Sequence, residues 1–153
     1  MDRALERIII GIAAMVLLGS LVVGVLIGSA VYGWKAALRE GNKAATLQDM
    51  KTIAAVEIQY YNTHNRSFGT FEQLIKEEML TSKFSGDRTI TDGYVFTLKV
   101  TPRTKDTQSF YSLKADPQSA STGSNHFYID SDGAEIHTNQ NQPAGAADPL
   151  LSK

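Results

Sequence analysis

Residues 8–34 read IIIGIAAMVLLGSLVVGVLIGSAVYGW, and no Asp, Glu, Lys, Arg, His, Asn, Gln or Pro interrupts them. Arg7 closes the run on one side and Lys35 on the other. The hydrocarbon core of a bilayer, about 30 Å thick, needs roughly 20 consecutive apolar helical residues, and this run exceeds that. A buried helix of a soluble protein is shorter and keeps a polar face. The apolar region of a cleaved signal peptide runs to about 15 residues, so cleavage near Gly28-Ser29-Ala30 is the poorer reading. The expectation is one transmembrane helix over residues 8–34, preceded by a short charged tail at residues 1–7. Ser20, Gly24 and Gly28 recur every four residues within it. They place small side chains on one stripe, which lets a second helix approach closely where lipid supplies no hydrophobic drive. Tyr32 and Trp34 stand at its far end, where amphipathic rings prefer the headgroup layer.

No turn signal follows Trp34. Lys35-Ala36-Ala37-Leu38-Arg39-Glu40 consists of good helix formers, Gly41-Asn42 is a soft spot, and helical periodicity then resumes. Leu47, Met50, Ala54, Ile58 and Tyr61 recur at spacings of three and four, with Ile53 and Tyr60 beside them. This predicts an amphipathic helix over residues 35–64 that continues the anchor and turns one face to a core. Thr70-Phe71-Glu72-Gln73 has the pattern of a capping box and predicts a short helix from Phe71 to about Met79. The period then changes to two. Tyr94, Phe96, Leu98 and Val100 alternate with polar or smaller residues up to Pro102, which predicts a half-buried strand. Phe110 to Ala115, Phe127 to Asp130 and Ala134 to Thr138 predict further strands, the last two joined at Asp132-Gly133. That turn sets Ile129 opposite Ile136 and puts Phe127, Ile129, Ala134 and Ile136 on the inward face. The fold class is therefore α+β: a long N-terminal helix packed on a small antiparallel sheet of three or four strands, with residues 65–138 as the globular domain. Residues 139–153 are rich in Asn, Gln, Pro, Ala and Gly and are expected to be a disordered tail.

Composition narrows the function. Fifteen Lys+Arg balance 16 Asp+Glu with neither sign clustered, so no basic face argues for nucleic acid. The absence of cysteine removes disulfides, thiolate catalysis and Cys-ligated zinc. His126 and His137 are candidate cross-strand neighbours, yet two exposed histidines without a loop or helix motif are a poor metal site. Asp130-Ser131-Asp132-Gly133 matches the start of a calcium loop but lacks the later ligands, and the turn alone explains Asp and Gly there. No phosphate loop, nucleophile elbow or His-Glu-x-x-His run is present. No catalytic residue, metal ligand or cofactor site is assigned, and the chain is not expected to be an enzyme.

The layout resembles that of type IV pilins and type II secretion pseudopilins. Three stretches carry the resemblance: the apolar N-terminal helix running into an amphipathic one; Thr46-Leu47-Gln48-Asp49-Met50-Lys51-Thr52-Ile53 through Tyr60-Tyr61 and on to Leu74; and Ala115-Asp116-Pro117 followed by His126-Phe127-Tyr128-Ile129-Asp130-Ser131-Asp132-Gly133. They span Ile8 to about Thr138. The family's Phe-Thr-Leu-x-Glu run and the proline that bends its anchors do not occur in residues 1–34. Leu5-Glu6 is the nearest match, and the resemblance then implies for Glu6 the place of the assembly glutamate, which neutralises the amine of a neighbouring subunit. It further implies a single-pass protein of a bacterial inner membrane, its C-terminal domain periplasmic or extracellular. The implied partners are the lipid bilayer and other pilin-like subunits, or a second copy through the Ser20, Gly24 and Gly28 stripe. The alternatives are a stand-alone anchored binding module and, behind it, a metal-site or enzymatic domain. Positive charge counts the other way on topology, with Arg3 and Arg7 before the span against Lys35, Arg39 and Lys43 after it. That difference is small, and spacings of four place the last three on one solvated helical stripe, so the resemblance decides the expectation.

Overall fold

In a computed structural model of the chain, the backbone is described for residues 3–86 and 88–152 and the side chains for residues 32–86 and 88–152. Eight elements follow one another. Helix α1 spans Arg3–Thr63 and α2 spans Phe71–Lys76; Ser82–Phe84 form one 3-10 turn. The strands are β1 (Thr89–Thr91), β2 (Tyr94–Thr101), β3 (Phe110–Pro117), β4 (His126–Asp130) and β5 (Gly133–Asn139). The chain forms two compact units, Met1–Ala37 and Leu38–Lys153. Of the expected membrane span, only Tyr32, Gly33 and Trp34 fall among the described side chains; Glu6, Ser20, Gly24 and Gly28 lie outside them. Among the residues whose side chains are described, no helix is long and apolar enough to cross a membrane.

The unit from Leu38 onward is α+β. Its five strands pair antiparallel in the order β1-β2-β3-β4-β5, so every strand lies beside its sequence neighbours. Two rows of inward side chains run across the sheet. Leu98 pairs with Leu113 and Leu113 with Ile129; Phe96 pairs with Ala115 and Ala115 with Phe127. The small Ala115 stands between two phenylalanine rings, and this face is buried apart from Leu98 and Val100, which are half-buried. The α1 segment covering it buries Thr46, Met50, Ile53, Glu57 and Tyr60, at spacings of four, three, four and three that form one seam. Leu47 and Ala54 are half-buried beside the seam. Ile58 is 55 % exposed and does not belong to the core face on which the spacing rule placed it. The seam runs through two polar residues, Thr46 and Glu57, which an apolar count skips, so the counted face lay about one residue away from the true one.

The loops supply what periodicity leaves open. The α2 capping box forms as expected: Thr70 Oγ1 accepts from the Gln73 N–H at 3.3 Å and Gln73 Oε1 from the Thr70 N–H at 2.8 Å. The helix ends at Lys76 rather than Met79, because Glu78 turns left-handed (φ 57°) and a left-handed residue terminates an α-helix. Gly41-Asn42 does not break α1. Asn42 instead donates its amide to the Thr122 carbonyl at 2.9 Å, fixing a loop that lies on Tyr94. A Cβ on Gly123 would run into the hydroxyl end of the buried Tyr94 ring, so a larger residue there has to displace it.

Three expectations are corrected. The sheet has five strands, not three or four, because Asp92 (φ 51°) and Gly93 (φ 74°) make a two-residue turn between β1 and β2 of the kind that matches strand twist. β1 is three residues long, too short to declare a period. The β4–β5 turn is centred on Ser131-Asp132, with Asp130 paired to Gly133. Asp130 Oδ1 accepts from the Asp132 and Gly133 N–H groups at 2.9 and 3.2 Å, an Asx turn. A bulge between Tyr128 and Asp130 then brings Tyr128 opposite His137 and Phe127 opposite Thr138, and leaves Ala134 exposed rather than inward. Finally, residues 140–152 are an ordered strap along β5. Leu151 N–H donates to Ile136 O at 2.7 Å and Thr138 N–H to Pro149 O at 2.9 Å, while Asp148 accepts from Gly145 N–H and the Asn139 amide. Ala144 is fully buried. The composition of this tail is that of a disordered chain, but the free edge of β5 offers it a partner for its backbone.

Two outcomes check this arrangement, both read by thermal melting of the full chain in detergent micelles with near-ultraviolet circular dichroism. Ile53→Asp places an unpaired charge in the core at a cost of several kcal/mol and abolishes the transition, whereas Ile58→Asp melts within a few degrees of the parent; equal behaviour would refute the seam. Deleting residues 141–153 strips the β5 edge and lowers the melting temperature, and an unchanged melt would show that the strap contributes nothing to stability.

Candidate functional site

The loop between α1 and α2 is the most constrained surface segment of this unit. Asn65 and Arg66 are both left-handed (φ 50° and 57°), a conformation that costs non-glycine residues free energy. Arg66 N–H donates to Tyr61 O and Ser67 N–H to His64 O, which closes the end of the helix. The next two amides are bound in turn: Phe68 N–H by Ser109 Oγ at 3.1 Å and Gly69 N–H by Glu57 Oε2 at 2.9 Å. Ser109 Oγ donates onward to Thr101 O at 2.9 Å. Gly69 is required by contact rather than by dihedral angle, since a Cβ there would lie 2.9 Å from Leu74 Cδ2 and 3.2 Å from the Tyr60 ring.

The ring of Phe68 is thereby held between Tyr61, at 4.6 Å, and Tyr111, edge-on at 4.8 Å. It forms a wall of a groove of about 350 Å³ between α1 and the β4–β5 turn. Lys51, Ala54 and Ile58 line the helix side; Ile129 and the Asp130–Ala134 turn line the other. The floor is apolar and the rims are charged, cationic at Lys51 and anionic at Asp130 and Asp132. Tyr111 is pushed up to about 12 by burial, then by the nearby Glu57 and Asp130 carboxylates. Tyr128 rises to about 12 through burial and through donating its hydroxyl to Asp130 Oδ2 at 2.8 Å. Both phenols are neutral at physiological pH.

Glu57 lies beneath the loop, completely buried. Oε2 holds the Gly69 amide and Oε1 has no hydrogen-bond partner. Burial raises its carboxyl from 4.5 to about 7, against the lowering effect of the Gly69 hydrogen bond. Sequence reasoning passed over this residue because a glutamate on an amphipathic helix ordinarily marks the solvated face. The signal available was its position, in step with Met50, Ile53 and Tyr60.

The histidines are not brought together. His126 stands opposite Asn139, its Nδ1 2.6 Å from Asp116 Oδ1. His137 stands opposite Tyr128, its Nδ1 donating to Asp148 O at 2.6 Å. His64 stacks on Tyr60 at 3.7 Å and contacts Glu77 Oε1 through Nε2 at 2.9 Å. Among the described residues no group of three or more His, Cys, Asp or Glu is arranged to hold a metal. The Asp130 carboxylate is spent on its own turn and on Tyr128. Searches against protein-family models, curated proteins and solved structures return no match to this chain.

The tight approach at Gly69 makes a direct comparison possible. Gly69→Ala drives a methyl into Leu74 and Tyr60 and lowers stability by about 1–3 kcal/mol. Gly41→Ala, in the same protein, meets nothing within 4 Å on an exposed helical turn and raises stability by up to about 1 kcal/mol. Melting temperatures that shift in opposite directions are expected; a neutral Gly69→Ala would show that the loop is not packed onto α1 and α2.

Proposed function

We propose that this chain is a non-enzymatic, membrane-anchored, pilin-like structural or assembly subunit of a bacterial inner membrane, a minor or atypical member of a type IV pilus or type II secretion apparatus. The observation that carries this reading is the junction of two features on one helix. The apolar run at residues 8–34 belongs to α1, and the same helix, from Leu38 on, supplies one side of the core of an antiparallel meander. A helix used in this way leaves its globular unit attached to the membrane by its own core element. The order of elements after α1, a short capped helix and then strands paired with their sequence neighbours, supports the same reading. Residues 8–34 anchor the protein, and Glu6 and the Ser20, Gly24 and Gly28 stripe are its proposed contacts with neighbouring subunits in or at the bilayer.

The groove beside Phe68 favours a second reading, a stand-alone anchored module that binds a partner segment there. The two readings separate on what accompanies the protein when it is purified from its own cells: other pilin-like chains for the first, an unrelated protein for the second.

Topology tests the first reading directly. The chain has no cysteine, and Ser124 is exposed in the β3–β4 loop. In Ser124→Cys, a membrane-impermeant maleimide should label the protein on intact spheroplasts. Labelling only after lysis would put the globular unit in the cytoplasm and eliminate the pilus and secretion readings together.

A further inference from the structure

One oxygen of the buried Glu57 carboxyl has no hydrogen-bond partner, and its position gives it leverage over the surface. Its other oxygen holds Gly69, one residue from the ring that walls the groove. We propose that Glu57 is a proton-operated latch on the Ser67–Thr70 loop: the protonated carboxyl keeps the loop closed on α1, and loss of the proton favours an open loop in which Phe68 leaves the groove.

The geometry supports a local rather than a global event. The four amides of the loop donate to His64 O, Ser109 Oγ, Glu57 Oε2 and Gln73 Oε1, and only the Gly69 bond runs to a titratable side chain. The ionised carboxylate would be left in the core with Oε1 unpaired, and an unpaired buried charge is strongly disfavoured. Lifting Ser67–Thr70 gives water access to that carboxylate, whereas the sheet face beneath is held by its own ladder. The ionisable groups around Glu57 do not relieve it. Tyr60 on α1 and Tyr111 on β3 are both shifted upward by burial, with Glu57 adding to the effect, so they remain neutral. Glu77, after α2, pairs with His64 at the end of α1, and Asp130 accepts from Tyr128 and its own turn. Among the described residues no cation lies in an ion pair with Glu57.

The sign is that of a carboxyl raised in the closed state. The closed loop binds the proton more tightly than the open one, so closure is strongest at low pH, weakens as pH rises from 4.5, and levels off above about 7. Hydrogen exchange on the full chain in detergent micelles tests this, comparing peptides that contain Gly69 with peptides from β3 and correcting for intrinsic exchange. Two results are expected in the wild type. The Gly69 peptide is less protected than β3 throughout, and its opening equilibrium grows by about 30-fold between pH 5.5 and 8.5. Glu57→Gln, which keeps an acceptor for the Gly69 N–H without the charge, should flatten that rise to under about threefold. A wild-type profile that is flat with pH overturns the latch, as does a rise of the same size in Glu57→Gln, which would assign it to another group. Equal protection of the loop and β3 at every pH overturns it too, since Glu57 would then be released only by global unfolding.

Discussion

Everything in the globular unit depends on burying one seam of α1 against one face of the sheet. A meander whose other face is wet does not hold together by backbone pairing alone, and a helix in a protein draws most of its stability from packing an amphipathic face. Met50, Ile53 and Tyr60 meet the rows built on Leu113 and Ala115, and each fully buried apolar side chain contributes roughly 1.5–3 kcal/mol. The seam is a mutual solution: the helix gives the sheet a cover and the sheet gives the helix a reason to be straight and continuous through Gly41-Asn42. The helix that supplies this seam is also the one that carries the apolar run at residues 8–34.

The edges of the fold are managed by separate devices. β5 would present an open row of backbone groups, and the strap formed by Pro149 to Leu151 pairs with it. β1, on the opposite edge, is only three residues long, and short edge strands are poor templates for unwanted pairing. Lys83 reaches Asp49 with both carboxylate oxygens at 2.7 Å, and Asn42 holds the loop that closes over Tyr94. These contacts sit at the surface and add little stability individually. Their effect is to orient the connections around the apolar face.

The Phe68 groove and the buried Glu57 beneath the adjoining loop belong together physically. A core that admits a carboxylate at full burial gives up stability whenever the group is ionised, and an apolar replacement would remove that cost. Retaining it places a titrating charge directly under a loop whose own backbone is strained at Asn65 and Arg66. Strain and buried charge are both features that a fold selected for stability alone would lose.

The local patterns were sufficient for much of the architecture. The helical period after Trp34, the capping box at Thr70 and the alternation in β2, β3 and β4 are all properties of neighbours along the chain, and each of these elements forms, α2 stopping at Lys76. The α+β class and the antiparallel order follow from the same signals. What the tertiary structure decided were the matters in which distant residues compete. The helix face was read one residue off because Thr46 and Glu57 are buried by strands far away in sequence, and polarity alone sends them to solvent. The β4–β5 turn moved to Ser131-Asp132 because the Asp130 carboxylate caps the turn amides, which outweighs the preference for Asp-Gly at its centre. The strap at residues 140–152 was unreadable because its order comes from a free strand edge rather than from its own composition. Periodicity records what a segment would bury; which polar groups are enclosed, and which backbone finds a partner, is settled only when the segments meet.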